Sequence, residues 1–178
     1  MNTYIWMKRL LAILGSGLIG LMFSTGAYAA NPEPVIVEVQ FAAPITINET
    51  NALQFGVLDV NLAIAEEVII APDSSLTDLG GNVIGPTPAA ATFDVIATPG
   101  RAINILVDTV TTGTGYGLSV WRCDYGAVPV AGNCDGAGLS ETSEAGPTEL
   151  RVGVTLTGDA VPGLGNQDGS FNLTVAYE

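Results

Sequence analysis

The sequence predicts an all-β protein that folds as a single antiparallel β-sandwich. Apolar and polar residues alternate in many short runs, and a period of two places one set of side chains on a buried sheet face. Breaks rich in glycine and proline separate these runs, for example at 85–88 and 162–165. Such breaks end strands and provide turns. Many short strands with turns between them are typical of antiparallel sandwiches.

The first 29 residues are expected to be a cleaved signal peptide rather than part of the fold. Lys8 and Arg9 precede an apolar run, and Ala27-Tyr28-Ala29 fits a small-residue cleavage pattern. The alternative is an uncleaved membrane anchor, but the apolar run is shorter than the roughly 20 residues that a span needs. Cleavage after Ala29 leaves 178 − 29 = 149 residues. We therefore expect one domain, residues 30–178, with no membrane span after cleavage.

The predicted strands follow the alternation along the chain. A run at 62–70 contains helix-favouring residues first, but its second half is rich in β-branched residues and is expected to be a strand. Pro99-Gly100 joins two strong runs closely enough to predict a hairpin. The alternating sets are Val35, Val37, Val39 and Phe41; Leu53, Phe55 and Val57; Phe93, Val95 and Ala97; Ile103, Ile105 and Val107; Leu118 and Val120; Leu150, Val152, Val154 and Leu156; and finally Phe171, Leu173, Val175 and Tyr177.

The chain has two cysteines, Cys123 and Cys134. An exported protein meets an oxidising compartment, so we expect them to form a disulfide. The turn-rich segment between them is able to fold back, and the bond would then close a hairpin or a long loop. The alternative, a catalytic thiol, has no histidine to activate it.

The charged residues exclude most kinds of catalytic site. The sequence has no histidine, and after Arg9 its only cationic side chains are Arg101, Arg122 and Arg151. This removes histidine as an acid, base or metal ligand and lysine as a nucleophile or phosphate clamp. All 18 acidic residues follow the signal peptide, so the mature net charge is 3 − 18 = −15. Such a chain repels nucleic acid, and we expect no nucleic-acid partner, no cofactor and no enzymatic activity.

Carboxylates supply two kinds of candidate site, and each has a simpler interpretation. Glu66 and Glu67 are the closest pair for glycoside hydrolysis, but neighbours on a strand point to opposite faces and are expected to be solvated. Calcium prefers oxygen ligands. Widely spaced acidic or amide side chains at two places in the chain are able to provide such ligands. We favour structural turns at both. The groups are Asp73 with Asp78, and Asp159 with Asn166 and Asp168.

Two aromatic residues flank the first cysteine at a spacing of two. Trp121, Cys123 and Tyr125 are therefore expected to share one sheet face. The rings are able to stack on a sugar or on a protein partner. Packing in the core over the disulfide is the interpretation that we favour, because large aromatic residues dominate protein cores.

Several motifs together resemble a family of short exported bacterial domains catalogued as domain of unknown function 4402. They are Leu53-Gln54-Phe55-Gly56, the Phe93 strand with Pro99-Gly100, the run 150–156, and the ending from Gly169 to Tyr177. The resemblance spans nearly all of the mature chain. It implies an exported domain and carries no catalytic residues to transfer.

The ending of the chain is also similar to that of chaperone–usher pilins, which finish on an alternating strand with a penultimate tyrosine and a glycine upstream. Here Tyr177 is penultimate and Gly165 precedes the strand. The cysteines depart from the pattern, since many pilins link strands near the start of the domain. The resemblance implies an immunoglobulin-like, pilin-like sandwich and two partner classes, a second copy or a periplasmic chaperone.

The function expected from these observations is that of a non-catalytic structural or adhesive surface protein. In its most specific form it is a pilin-like fibre subunit that assembles by β-strand addition. The alternative is a secreted module that binds glycans or calcium through loops near Trp121 or Asp168. Under the first hypothesis, Val35, Val37, Val39 and Phe41 complete the sheet of the next subunit. The same strand is also able to pair within its own domain, since sequential strands usually neighbour one another.

Overall fold

The computed structural model describes residues 39–127, 131–159 and 164–178. Within these ranges the fold is all-β with no helix, which confirms the predicted class. The compact unit that contains the described strands is Gln40–Glu178, and the expected signal peptide lies outside the described residues. The strands are β1 Thr46–Asn51, β2 Glu67–Ile70, β3 Leu76–Asp78, β4 Ala91–Ile96, β5 Ala102–Thr111, β6 Tyr116–Tyr125, β7 Gly132–Asn133, β8 Leu139–Thr142, β9 Thr148–Gly158 and β10 Ser170–Tyr177.

The larger of the two sheets is built around β9. Along one side of β9 lies β6, and along the other lie β4, beside its first half, and β2, beside its second half. The sheet continues outward with β1 next to β4, β3 next to β2 and β7 next to β6. All of these pairs are antiparallel. Strand β9 can serve as the centre because its apolar run is buried almost throughout.

The smaller sheet has the strand order β10-β5-β8, again antiparallel. Residues 103–107 of β5 pair one by one with 173–177 of β10, from Ile103↔Tyr177 to Val107↔Leu173. A bulge interrupts this register near Thr109, whose φ is +47°. Among the described strands, β10 therefore lies at one edge of this sheet and β8 at the other.

The two sheets face each other across one apolar core. Their inward side chains alternate with outward ones, as the period of two predicted. The fully or nearly fully buried members are Ala91, Phe93 and Val95 of β4, Ile103, Ile105 and Val107 of β5, Trp121, Cys123 and Tyr125 of β6, Cys134, and Leu150, Val152 and Val154 of β9. This arrangement is consistent with a β-sandwich.

Most of the strongly alternating runs form strands where the sequence predicted them. These include the runs at 93–97, 103–107, 150–156 and 171–177, and also the second half of 62–70, which forms β2. The run at 53–57 does not form a strand. It makes only the isolated bridges Gln54↔Ala89 and Leu58↔Val83. Gly56 lies between them with φ +75°, and the carbonyl oxygen of Pro86 would be 2.2 Å from any Cβ there, so the backbone turns instead of extending.

The hairpin predicted at Pro99-Gly100 is wrong. This turn joins β4 in the larger sheet to β5 in the smaller one, and the two strands do not pair. The turn crosses between the sheets because the side chain of the buried Ser143 is hydrogen-bonded to the backbone on both sides of Pro99-Gly100. The Ser143 hydroxyl accepts from the N–H of Arg101 at 3.0 Å and donates to the carbonyl of Thr98 at 2.5 Å.

Candidate functional site

The candidate site is the open edge of β10. On one side β10 pairs with β5, and on the other it pairs with no residue in the described ranges. The N–H of Glu178 donates to the carbonyl of Ala102 at 3.1 Å, which fixes the direction of the backbone groups upstream. Successive residues of a strand point these groups to opposite sides. The residues whose N–H and C=O face the open side are therefore Leu173, Val175 and Tyr177.

The side chains of β10 that face the core are only half-buried. This holds for all four predicted members of the terminal strand: Phe171, Leu173, Val175 and Tyr177. On the neighbouring strand β5, by contrast, Ile103 and Ile105 are 0% exposed. The apolar core is therefore sealed beneath β5 but partly open along β10.

A shallow apolar groove of about 450 Å³ lies at the end of β10. One wall is the segment 42–45, which leads into β1, and the other wall is the end of β10. Ile45 and Ile47 are half-buried and pack against the same core. The lining residues, none of which is charged, are Ala42, Ala43, Pro44, Ile45, Val175, Ala176 and Tyr177.

Tyr177, one of the residues that line this groove, makes two hydrogen bonds through its hydroxyl. It accepts from the N–H of Thr98 at 2.7 Å and donates to the carbonyl of Ala43 at 2.9 Å. The N–H of Ala43 in turn donates to the Thr98 hydroxyl at 2.8 Å. The penultimate tyrosine thus ties the chain entering β1 and the turn after β4 to the end of β10.

The opposite end of β10 is held by aromatic packing. The ring of Phe171 lies 4.7 Å from that of Trp121 and 6.4 Å from that of Phe93, measured between ring centroids. The contact with Phe93 is edge-to-face, one of the arrangements that aromatic pairs prefer. Both ends of β10 are therefore anchored, while the backbone edge between them pairs with no other described residue.

The predicted first strand is placed only in part. Val35 and Val37 lie outside the described residues. Val39 and Phe41 are described, lie in no strand, and are 65% and 90% exposed. The chain around them is attached instead through Gln40, whose side-chain oxygen accepts from the guanidinium of Arg101 at 2.5 Å.

The predicted disulfide between Cys123 and Cys134 is confirmed, with a Cα–Cα distance of 5.6 Å. Both residues are 0% exposed. The backbone of Cys134 also joins the two sheets, because its N–H donates to Trp121 of β6 and its carbonyl accepts from Val107 of β5, at 3.1 and 2.7 Å. The bond therefore fixes the short strand β7 against the core.

Trp121 and Tyr125 share a buried face with Cys123, as the spacing predicted. Trp121 is 3% exposed and Tyr125 is 6% exposed. The Tyr125 hydroxyl has no hydrogen-bond partner within the described ranges. These rings are part of the core and present no open face on which a sugar ring is able to stack.

The adjacent carboxylates Glu66 and Glu67 lie at the start of β2. One oxygen of Glu66 accepts from the N–H of Ala63 at 2.9 Å and caps the turn before β2. Glu67 begins β2 and is exposed. Neither side chain lines the groove at the end of β10.

The acidic loops do not assemble into a metal centre. Among the described residues, no three His, Cys, Asp or Glu side chains form a group that is able to hold a metal ion. Hydrogen bonds from Ser75 lower the pKa of Asp73. Burial raises the pKa of Asp78, but bonds from Val83 and Asn82 outweigh it, and the net pKa is lowered. The side chains of Asp159, Asn166 and Asp168 are all exposed.

One buried carboxylate lies on the outer face of the larger sheet. Asp124 is 4% exposed, and burial raises its pKa. Its only ion-pair partner within the described ranges is Arg151, at 3.7 Å, and Arg151 also contacts Glu149. One oxygen of Asp124 has no hydrogen-bond donor there. The arginine partly offsets the cost of burying this charge.

Sequence reasoning did not identify the groove wall at 42–45 or the role of the Tyr177 hydroxyl. The terminal alternation and the penultimate tyrosine were visible in the sequence. The hydrogen bond between the Tyr177 hydroxyl and the Ala43 carbonyl was not visible, because the two residues are 134 positions apart. The segment 42–45 has no alternation that would have indicated a binding surface.

Comparisons with known proteins identify the family alone. Neither curated proteins nor solved structures give a significant match. The described ranges include no helix that is long and apolar enough to cross a membrane, and the disulfide is compatible with an exported protein. The family model described as domain of unknown function (DUF4402) matches residues 45–177. The chain therefore belongs to this family.

Proposed function

We propose that this protein is a non-catalytic, exported structural subunit that self-associates by β-strand addition, in the manner of a pilin-like fibre subunit. The observation that carries the proposal is the exposure of Phe41. This large aromatic ring ends an alternating apolar run and is 90% exposed. A run of this kind gains free energy by burying its alternate side chains in an acceptor.

The composition of the chain supports a structural rather than a chemical role. The sequence lacks histidine, and its one lysine precedes the expected cleavage site. The aromatic residues nearest the disulfide belong to the core. Among the described acidic side chains, Asp73 stabilises a turn and Asp124 forms an ion pair. A secreted, acidic and disulfide-bonded sandwich is suited to forming stable contacts outside the cell.

The proposal is tested by removing the segment that would be donated. The mature chain, residues 30–178, is compared with a chain lacking 31–41 by size-exclusion chromatography with light scattering at rising protein concentration. We expect the mature chain to form concentration-dependent oligomers and the deleted chain to remain monomeric. A chain lacking only 31–34 serves as the control, because it keeps the alternating run, and it should still assemble.

A mature chain that is monomeric at every concentration would overturn the proposal. So would a deleted chain that assembles as well as the intact one. Reproducible hydrolase turnover by the purified chain, abolished by replacing Glu66 or Glu67, would instead assign the protein to an enzyme class.

A further inference from the structure

We infer that the acceptor for this strand is the open edge of β10, and that the occupant is the segment 35–41 of a second copy of the chain. In this complex the donor pairs with the backbone of β10, and its alternate apolar side chains enter the half-open core. The inference rests on the proposed function. It adds which strand edge accepts the donor and which face of the donor is buried.

Among the described strands, β10 is the edge best suited to accept a long donor. Strands β3, β7 and β8 are edges of only three, two and four residues. Strand β1 is longer, but it has a bulge between Glu49 and Asn51, and its side chains are exposed apart from Ile47. Strand β10 has eight residues and apolar side chains that are only half-buried.

The length and period of the donor match this edge. At about 3.3 Å per residue, a seven-residue strand spans about 23 Å, close to the length of β10. Leu173, Val175 and Tyr177 present their N–H and C=O groups to the open side at every second position, which is the spacing that an added strand uses. On the donor, Val35, Val37, Val39 and Phe41 fall on one face and Ile36 and Glu38 on the other.

The chemistry of the groove also fits an apolar donor. Its lining has no charged side chain, whereas the chain as a whole carries a formal net charge of −13. A docking surface for a charged partner would be expected to carry complementary charges. The lining side chains are apolar apart from the Tyr177 hydroxyl, and that hydroxyl is already paired with Ala43 and Thr98.

The donor is assigned to a second molecule because the described end of the segment does not fill the groove of its own molecule. Phe41 is 90% exposed, although the adjacent Ala42 lines the groove. The neighbouring Gln40 is bonded to Arg101, at the turn between the sheets. A ring that lies outside its own core is available to the core of another copy.

The first experiment blocks the edge without breaking the sheet. Val175→Pro removes an N–H that faces the open side and places the proline ring there, while the bonds of its neighbours to β5 remain. Proline is tolerated on edge strands in this orientation. Val175→Ala is the matched control, because it shortens the side chain and keeps the N–H. We expect Val175→Pro to lower the association constant of the mature chain at least about tenfold relative to Val175→Ala, since it loses a hydrogen bond and gains a clash.

The second experiment does not depend on how well the proline variant folds. A peptide of residues 35–41 is added to the chain lacking 31–41, and amide chemical shifts are followed by NMR. We expect the amides of Leu173, Val175 and Tyr177 to shift and the melting temperature to rise. Val37→Asp in the peptide should abolish binding. Ile36→Asp, on the opposite face of the same peptide, should not.

The outcomes separate this inference from the proposed function. If deletion of 31–41 abolishes assembly but Val175→Pro assembles as well as Val175→Ala, self-association stands and β10 is not the acceptor. Peptide-induced shifts confined to β1 or β8 would have the same meaning. If the mature chain is strictly monomeric and the peptide shifts no β10 amide, both proposals are wrong. Equal loss of binding with both aspartate peptides would refute the assignment of the buried face.

Discussion

The hydroxyl of Tyr177 donates a hydrogen bond to the carbonyl oxygen of Ala43, 134 positions earlier in the chain, at 2.9 Å. The same hydroxyl accepts from the N–H of Thr98 at 2.7 Å. The two bonds join the last strand, the segment entering the first strand and the turn that crosses between the sheets. The end of the last strand and the segment entering the first strand line the groove into which we propose that a second copy inserts.

Tyr177→Phe should destabilise the domain while leaving its fold intact. The substitution removes both hydrogen bonds and leaves the partly buried Thr98 N–H without its acceptor, so a loss of about 1–2 kcal/mol in the free energy of unfolding is expected. Denaturant unfolding followed by circular dichroism measures it. Tyr116→Phe is the control, because it removes a single hydroxyl bond, to the carbonyl of Gln167 at 3.1 Å. A Tyr177→Phe protein as stable as the wild type would contradict the bridging role.

Loss of the disulfide should lower stability more than loss of the tyrosine hydroxyl. Replacing both Cys123 and Cys134 by alanine removes the crosslink over a separation of 11. The expected cost is about 3 kcal/mol in the free energy of unfolding, from the greater freedom of the unfolded chain. Intact-mass measurement of the purified, unreduced protein should show a gain of two hydrogens on reduction. Two thiols that alkylate without a reductant would show that the bond does not form in the cell.

Asp124 and Asp78 should give opposite pH dependences of stability. Burial raises the pKa of Asp124 above its value in the unfolded chain. As the pH rises through the unfolded and then the folded pKa, the unfolded state loses its proton first, so ionisation of Asp124 costs stability. Asp124→Asn removes that cost. We therefore expect its stability relative to the wild type to improve between acid and neutral pH.

Asp78 is the matched control, since its pKa is lowered in the folded state. Its contribution is present above the unfolded pKa and is lost as the pH falls through the folded pKa. Asp78→Asn should therefore become less stable relative to the wild type as the pH rises over the same range. Urea unfolding of the three proteins at several pH values tests both signs. Parallel curves for the two variants would show that the burial of Asp124 does not control its titration.

The strands were predictable from the sequence where one face of a strand is buried and the other is not. The run from Phe171 to Tyr177 is the clearest case, because β10 has one inward face and one exposed face. The apolar residues of the run from Leu150 to Leu156 also fall at every second position, although the residues between them are partly or fully buried as well, apart from the exposed Glu149 at the start of β9. The disulfide was also predictable, because the expected signal peptide and the turn-rich spacer are both local features of the sequence. The candidate site was visible only as a terminal strand with a penultimate tyrosine.

The pairing of the strands was not predictable in the same way. The runs before and after Pro99-Gly100 look like the two arms of a hairpin, but they belong to different sheets. The interactions that decide this come from Ser143, more than 40 residues away. The run at 53–57 has strand periodicity and fails to form a strand because of a turn at Gly56 that packs against Pro86. In both cases contacts that are distant in sequence override a local pattern.

Amide hydrogen exchange along β10 tests the proposed strand addition most directly. The amides of Asn172, Thr174 and Ala176 face β5 and should be protected both in the mature chain and in the chain lacking 31–41. The amides of Leu173, Val175 and Tyr177 face the open side. They should exchange fast in the deleted chain and become protected in the mature chain at concentrations where it is oligomeric. Equally fast exchange of these three amides in both chains, with the mature chain oligomeric, would contradict the assignment of β10 as the acceptor.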